Sequence, residues 1–372
     1  MAPFGYEGHG VFLCLSTVLR ACNQRRPKVN GMLIASVVLP VVLGVAGPCP
    51  EEIALLKARA HGAKAKECLR VLDQDGMPVV GATIWGGLQT GGGIKDFIPI
   101  RGTTNTNGEY VIHGKCTNRI RCDIVKDGFY RSEFLLEDYG YNHNLKHGEW
   151  HPYGESTEIV LKRIQNPIET VRTKSDYAPH PRLGEWVGYD IERRQWVHPF
   201  GEGLHSDMLV KITVDAKKRI SDFKAVMEVS FTNNPYSGAY ILRKERCSDM
   251  KSVYMADTNA SYQTSFVFVF ERHPIIEQKP FEHVAGVKTT DTRLDADSYL
   301  VFRTRTKVDS EGRLVSAHYG KIYGLWEFFE GMRVEYSLFN PNPNDPNLED
   351  RETAERSCRY LRQLDEMLQK KD

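Results

Sequence analysis

A chain of 372 residues, 41% of them hydrophobic, carries enough apolar side chain for about two packed domains, which excludes disorder as its main state. Its 49 basic and 48 acidic residues leave a formal net charge of +1, and no long run of one sign occurs. That balance excludes the electrostatic footprint of a general nucleic-acid or acidic-lipid binder.

In chain order, Arg25, Arg26 and Lys28 precede an apolar run from Met32 to Ala46. Gly44 and Ala46 supply the small residues of a signal-peptidase site. The run is shorter than the roughly 20 residues that span a bilayer, and Pro40 interrupts it. Residues 1–47 therefore read as a leader. It is a signal peptide cleaved on export, or alternatively an uncleaved membrane anchor through residues 31–47, or a buried core helix. The expected location is exported: periplasmic, extracellular or cell-surface. Cys14 and Cys22 would leave with a cleaved leader, and Cys49, Cys68, Cys116, Cys122, Cys247 and Cys358 would stay. An exported chain permits disulfides, with Cys116 and Cys122 the nearest pair; buried free thiols are the alternative. No C-x-x-C occurs, so zinc ribbons and thioredoxin-type motifs have no support.

Residues 48–66 start with a proline and two glutamates, which suit a first helical turn, and read as a short helix. From 67 to 164 the pattern changes to short β-branched runs. Asp75-Gly76, Asn107-Gly108 and Asp127-Gly128 separate them as turns, the spacing of a β-sandwich. "GGLQTGGGIKD" (Gly86 to Asp96) reads as a loop and lacks the spacing of a nucleotide cradle. Residues 165–184 are rich in proline and polar residues and read as a linker. Residues 185–345 form a second β-rich domain. In it "YLVFRTRTKVD" alternates between apolar or β-branched and charged positions, which predicts one buried and one wet face. Residues 346–372 read as a C-terminal helix, acidic early and rich in lysine late. "EWHPYGE" (Glu149 to Glu155) and "QWVHPFGE" (Gln195 to Glu202) echo each other as an aromatic-proline turn. The fold class expected is mainly β, with short helices near the two ends.

Three pieces of the first β region together carry a family pattern. They are Asp73, Gly76, Pro78, Val79, Gly81, Ala82 and Ile84; then Thr104, Asn105, Asn107, Gly108 and Tyr110; then Lys126, Gly128 and Phe129. The ordered set, over about a quarter of the chain, resembles the carboxypeptidase regulatory-like, or transthyretin-like, domain. The resemblance implies an Ig-like or prealbumin-like sandwich that is usually a non-catalytic module of exported bacterial proteins. The departure is the long insert between Tyr130 and Glu158. The two-domain plan as a whole resembles exported bacterial proteins whose function is uncharacterised.

Candidate sites are few. "DQDG" contains a piece of a calcium loop, but the register puts Val71 and Ala82 at ligand positions, and neither can bind calcium. His143, His147 and His151 have helical spacing, against which stand Gly148 and Pro152. No H-E-x-x-H and no G-x-S-x-G occurs. The pairs Glu327/Glu330 and Asp295/Asp297 could serve a glycosidase, although spacing along the chain does not reveal their separation. The best binding candidate is the insert, whose Tyr139, Tyr141, Trp150 and Tyr153 lie among polar residues. Such rings can stack on sugars or anchor a protein partner; alternatively they fold back and cap the sandwich. The expectation is an exported, non-catalytic two-domain β protein. It would be a binding or structural module with a glycan or a cell-surface protein as partner, and no cofactor, metal or nucleic acid. The alternative is a carbohydrate-active or other hydrolase with its site in the second domain. A deep cleft in residues 185–340 holding two converging carboxylates would favour that alternative.

Overall fold

The computed structural model describes residues 49–91, 96–137, 144–174, 177–218, 221–245, 247–279, 282–324 and 326–369. The leader expected in residues 1–47, its apolar segment 31–47, and Tyr139, Tyr141 and His143 lie outside them. From Pro48 onward the chain forms one compact unit, mainly β, with one helix at each end.

Helix α1 (Pro50–His61) opens with a capping box in which the thiol of Cys49 replaces the usual hydroxyl. Its Sγ accepts from the Glu52 amide at 3.4 Å, and the Glu52 carboxylate accepts from the Cys49 amide at 2.9 Å. Nine strands follow: β1 (Ala63–Asp73), β2 (Thr83–Gln89), β3 (Phe97–Thr103), β4 (Glu109–Cys116), β5 (Ile120–Val125), β6 (Ser132–Leu136), β7 (Asn144–Lys146), β8 (Glu149–His151) and β9 (Glu155–Leu161). One sheet is centred on β1, which pairs antiparallel with β4 and parallel with β9 and β8; β7 joins β8. The other sheet runs β3-β2-β5-β6. Between them Leu69, Val71, Ile84, Leu88, Ile120, Ile124, Phe134, Ile159 and Leu161 are buried. These residues recur every second position on their strands, as a pleated half-buried sheet requires.

The turn at Asp75-Gly76 is as expected. Asp73 Oδ1 accepts from the amides of Asp75 at 3.0 Å and Met77 at 2.9 Å, and Gly76 takes φ of +77°. Burial would raise the Asp73 pKa, but the Met77 amide and the Arg163 guanidinium outweigh it and hold the carboxyl below its usual range. The glycine-rich loop differs from expectation, because Gly86 to Gln89 belong to β2. Glycine here serves close strand approach: a Cβ on Gly86 would stand 2.0 Å from the Arg121 carbonyl oxygen.

The second half contributes β10 (Val171–Lys174), β11 (Ala178–Pro179), β12 (Val187–Asp190), β13 (Gln195–Trp196), β14 (Met208–Lys218), β15 (Asp222–Ser230), β16 (Gly238–Arg243), β17 (Ser265–Lys279), β18 (Glu282–Asp291), β19 (Ser298–Val308), β20 (Leu314–Tyr323), β21 (Glu327–Phe328), β22 (Gly331–Arg333) and β23 (Tyr336–Phe339). They form sheets of order β13-β12-β14-β15-β17-β18, β10-β23-β20-β19-β16 and β11-β22-β21. Segment 165–184 is therefore not a free linker. Val171–Lys174 pairs with β23 and Ala178–Pro179 with β22, which the proline-rich composition concealed.

The sheet carrying β19 is buried on both faces, where one wet face was expected. Leu300, Phe302 and Ile322 enter the core shared with Val210, Met227 and Phe268. Tyr299, Val301, Tyr319 and Tyr323 enter another core with Ala256 and Leu348. Alternation failed as a guide because irregular chain around Val253–Tyr262 and Leu348 covers the polar face, and its charges are answered internally. Arg303 donates to the carbonyls of Tyr236 and Thr258. Lys321 Nζ donates to Ser252 Oγ and the Leu348 carbonyl, both at 2.7 Å. Lys162 Nζ reaches the Ser252 carbonyl at 2.6 Å.

Helix α2 (Arg351–Gln369) closes the chain onto the first half. Asp350 receives the Thr353 amide at 2.9 Å, as an N-cap does. Just before it, the buried Glu349 accepts from the Tyr130 hydroxyl at 3.0 Å and from the amides of Gln165 at 2.7 Å and Asn166 at 2.6 Å. Ser357 receives the Arg131 amide, and the Tyr360 hydroxyl donates to Asp123. All six described cysteines are free, and burial pushes the thiols of Cys116 and Cys122 up to about 12.

Two predictions follow from this packing. Burial pushes the Lys321 ammonium down to about 7 from 10.5, with Asp350 only partly opposing it. Between those values the unfolded chain binds more protons than the folded one, so this group makes stability rise with pH across that window. Urea unfolding at pH 7 and pH 9.5 will show that gain in the wild type and a smaller one in Lys321→Met. Gly86→Ala will cost about 1–3 kcal/mol, read as a lower urea midpoint, because the strands cannot part without breaking their ladder.

Candidate functional site

A cleft of about 680 Å³ opens in the second half. Leu204, His205, Ser206, Asn233, Asn234, Arg305, Thr306, Lys307, Ser316, His318 and Pro343 line it. Its frame is an irregularity in β19. The register to β20 shifts between Thr304 and Lys307, and Arg305 takes φ of +53°, a left-handed conformation that costs a non-glycine residue energy.

Three carboxylates over-determine that strained residue. Arg305 Nε donates to Asp207 Oδ1 at 2.9 Å, and Nη2 donates to Asp207 Oδ2 at 3.0 Å and Asp190 Oδ1 at 3.2 Å. Nη1 binds Glu192, and the guanidinium carbon lies 4.5 Å from the Phe339 ring centroid. Asp190 and Asp207 are both 0% exposed. Their remaining acceptor capacity serves the backbone of the wall: Asp190 takes the amides of Arg193, Leu204 and His205, and Asp207 takes that of Ile191. Burial raises the Asp207 carboxyl above its usual range, although Arg305 pulls the other way. These side chains are positioning groups, and among the described residues no carboxylate lines the cleft.

What the cleft offers is neutral polarity with two cationic residues. His318 stacks on Phe339 at 5.4 Å, and its Nδ1 contacts the Asn340 carbonyl at 3.2 Å, which makes Nδ1 the donor and leaves Nε2 an acceptor. Burial, with Arg305 nearby, lowers its pKa and favours that neutral ring. Asn233 Oδ1 is buried without a hydrogen-bond donor among the described residues.

Of the four candidate rings of the aromatic insert, Trp150 and Tyr153 lie among the described residues, and Trp150 departs from the expected binding face. Trp150 is 0% exposed and donates its indole N–H to the Cys116 carbonyl at 2.8 Å, so its ring belongs to the first core. Tyr153 is exposed at 38%, and Tyr139 and Tyr141 lie outside the described residues. The echoing turn does the same: Trp196 is buried and donates to the Pro179 carbonyl at 2.7 Å, and each turn continues through a cis His-Pro bond to an exposed ring, Tyr153 or Phe200. The carboxylate pairs also fall elsewhere. Glu327 pairs with Arg333, and Asp295 with Arg243. No cluster of three or more histidine, cysteine or acidic residues suited to a metal occurs among the described residues. The residues that frame the cleft, Asp190, Asp207 and Arg305, had no sequence motif. Their one visible signal was a charged residue inside a strand as apolar as β19.

No family model and no curated protein matches the chain. Among solved structures, 3-chlorocatechol 1,2-dioxygenase from Rhodococcus opacus is 11% identical, with a TM-score of 0.23, over 28% of this chain and 62% of its own, so the chain spans under two thirds of that enzyme. A DUF3823 family protein from Parabacteroides merdae is 9% identical, with a TM-score of 0.17, over 78% of this chain and 100% of its own. A Bacteroides uniformis protein proposed to bind carbohydrate is 10% identical, with a TM-score of 0.16, over 74% of this chain and 99% of its own. Likenesses this distant carry no functional argument.

Replacing Arg305 tests the frame. Arg305→Met leaves two buried carboxylates unpaired and will cost about 3–5 kcal/mol at pH 8. The loss will shrink at pH 5, because the unpaired carboxylates can then take up protons; urea midpoints at the two pH values measure it.

Proposed function

We propose that this chain is an exported, non-catalytic binding protein that takes a saccharide in the Arg305 cleft. The observation that carries the reading is the chemistry of the wall. Asn233, Asn234, Ser206, Ser316, Thr306 and His318 offer groups that donate and accept, as sugar hydroxyls do, and the nearby carboxylates are already spent on Arg305 and the backbone. Hydrolysis of a glycoside calls for two carboxyl groups flanking the scissile bond, and the wall presents none among the described residues. The transthyretin-like resemblance of residues 67–164 and the leader-like residues 1–47 support a module of an exported protein, with an Ig-like or prealbumin-like sandwich as its first part.

Glycan-array binding of the full chain tests the assignment. Asn233→Ala and His318→Ala will each weaken binding about tenfold, the worth of roughly one buried hydrogen bond. Tyr153→Ala will leave it unchanged. Absence of any glycan ligand sinks the reading, and loss of binding in Tyr153→Ala alone returns the site to the insert.

A further inference from the structure

A second depression, of about 310 Å³, lies on the outer face of the β3-β2-β5-β6 sheet and shares no lining residue with the Arg305 cleft. Trp85, Gly87, Arg121 and Asp123 alternate with the core residues Ile84, Leu88, Cys122 and Ile124, so they face away from the core. Gly87 forms the floor: a Cβ there would stand 3.2 Å from the Phe97 ring and begin to fill the space. Trp85, Phe97 and Tyr360 supply aromatic walls, the last from α2.

Guanidinium groups concentrate around these rings. Arg119 and Arg121 line the depression, each paired with a glutamate yet 42% and 54% exposed along its side chain. Arg119 Nε is buried with no acceptor among the described residues. The Arg101 guanidinium lies 4.5 Å from the Trp85 ring centroid. Asp123, the single carboxylate among the described residues of the lining, is already answered by the Tyr360 hydroxyl and Arg131.

Rings beside guanidinium donors match a ligand with an apolar C–H face and a negative edge. We propose that this depression binds a sugar ring bearing a carboxylate, that is, a hexuronic acid residue. The C–H face packs on Trp85 and Phe97. The carboxylate accepts from Arg119, whose Nε–H gains the acceptor it lacks, and from Arg121 in a charge-assisted bond. A neutral hexose leaves that donor without a charged partner. The site is independent of the saccharide reading of the Arg305 cleft.

Titration calorimetry of the full chain with sodium glucuronate, glucose and sodium benzoate tests this. Saturable glucuronate binding is expected, at least about tenfold tighter than either comparison ligand and weaker at high salt. Arg119→Gln and Phe97→Ala alter exposed side chains, so the fold persists, and each will weaken glucuronate about tenfold. Asn233→Ala will leave it unchanged. No saturable binding at millimolar glucuronate overturns the proposal, and so does binding that survives Arg119→Gln. Benzoate binding as tightly as glucuronate overturns the sugar assignment. Loss of glucuronate binding in Asn233→Ala would place the ligand in the other cleft and overturn it equally.

Discussion

One carboxylate holds the two halves in register. Glu349 gathers the Tyr130 hydroxyl from the first half, the amides of Gln165 and Asn166 between the halves, and the run into α2. Burying that charge is tolerable only because several donors converge on it, and removing any one leaves the rest around an under-satisfied ion. Asp350, the next residue, caps α2, so the junction and the helix start are set by adjacent side chains. Tyr130 is itself 0% exposed, and its hydroxyl stays protonated far above the usual phenol range, pushed up by burial first and by Glu349 second. The contact is therefore a directional hydrogen bond donated by a neutral hydroxyl.

The same economy recurs around the sheet that holds β19 and β20. Because both faces are covered, each polar side chain on it must find a partner inside the protein. Lys321 and Lys162 meet at Ser252, Arg303 takes two carbonyls, and Arg305 takes three carboxylates. The consequence reaches the cleft. Carboxylates consumed in holding a strained arginine are positioned but unavailable, which leaves mainly neutral donors and acceptors along the cleft.

Much of the β organisation was legible along the chain, because turns and alternation are local properties. The Asp75-Gly76 turn, the strands on either side of it and the late helix all lie where the pattern put them. Three readings failed for non-local reasons. Gly86 and Gly87 look like a loop until β5 and β3 are known to leave no room for a side chain at the first and little at the second. Val171–Lys174 looks like a linker until β23 arrives from the far end of the chain. The alternation of β19 promised a wet face, and only tertiary cover from Val253–Tyr262 and Leu348 removes it. Trp150 could have been placed earlier. Its echo at Trp196 marks a repeated turn in which the indole anchors to a backbone carbonyl, a structural use of the ring. The Arg305 frame was out of reach, since residues 190, 192, 207 and 305 share no spacing that a linear pattern could reveal.

Tyr360 has a consequence for the order in which the protein becomes competent. The floor and most of the walls of the depression on the first half come from residues 85 to 123, which are synthesised before α2. The remaining wall is delivered by a side chain from α2, more than two hundred residues later, together with the hydroxyl that answers Asp123. The buried residues of the first core all lie between Ala58 and Leu161, so the chain that forms it precedes the residue that finishes its outer surface. Completion of that surface reports that α2 has been made and docked.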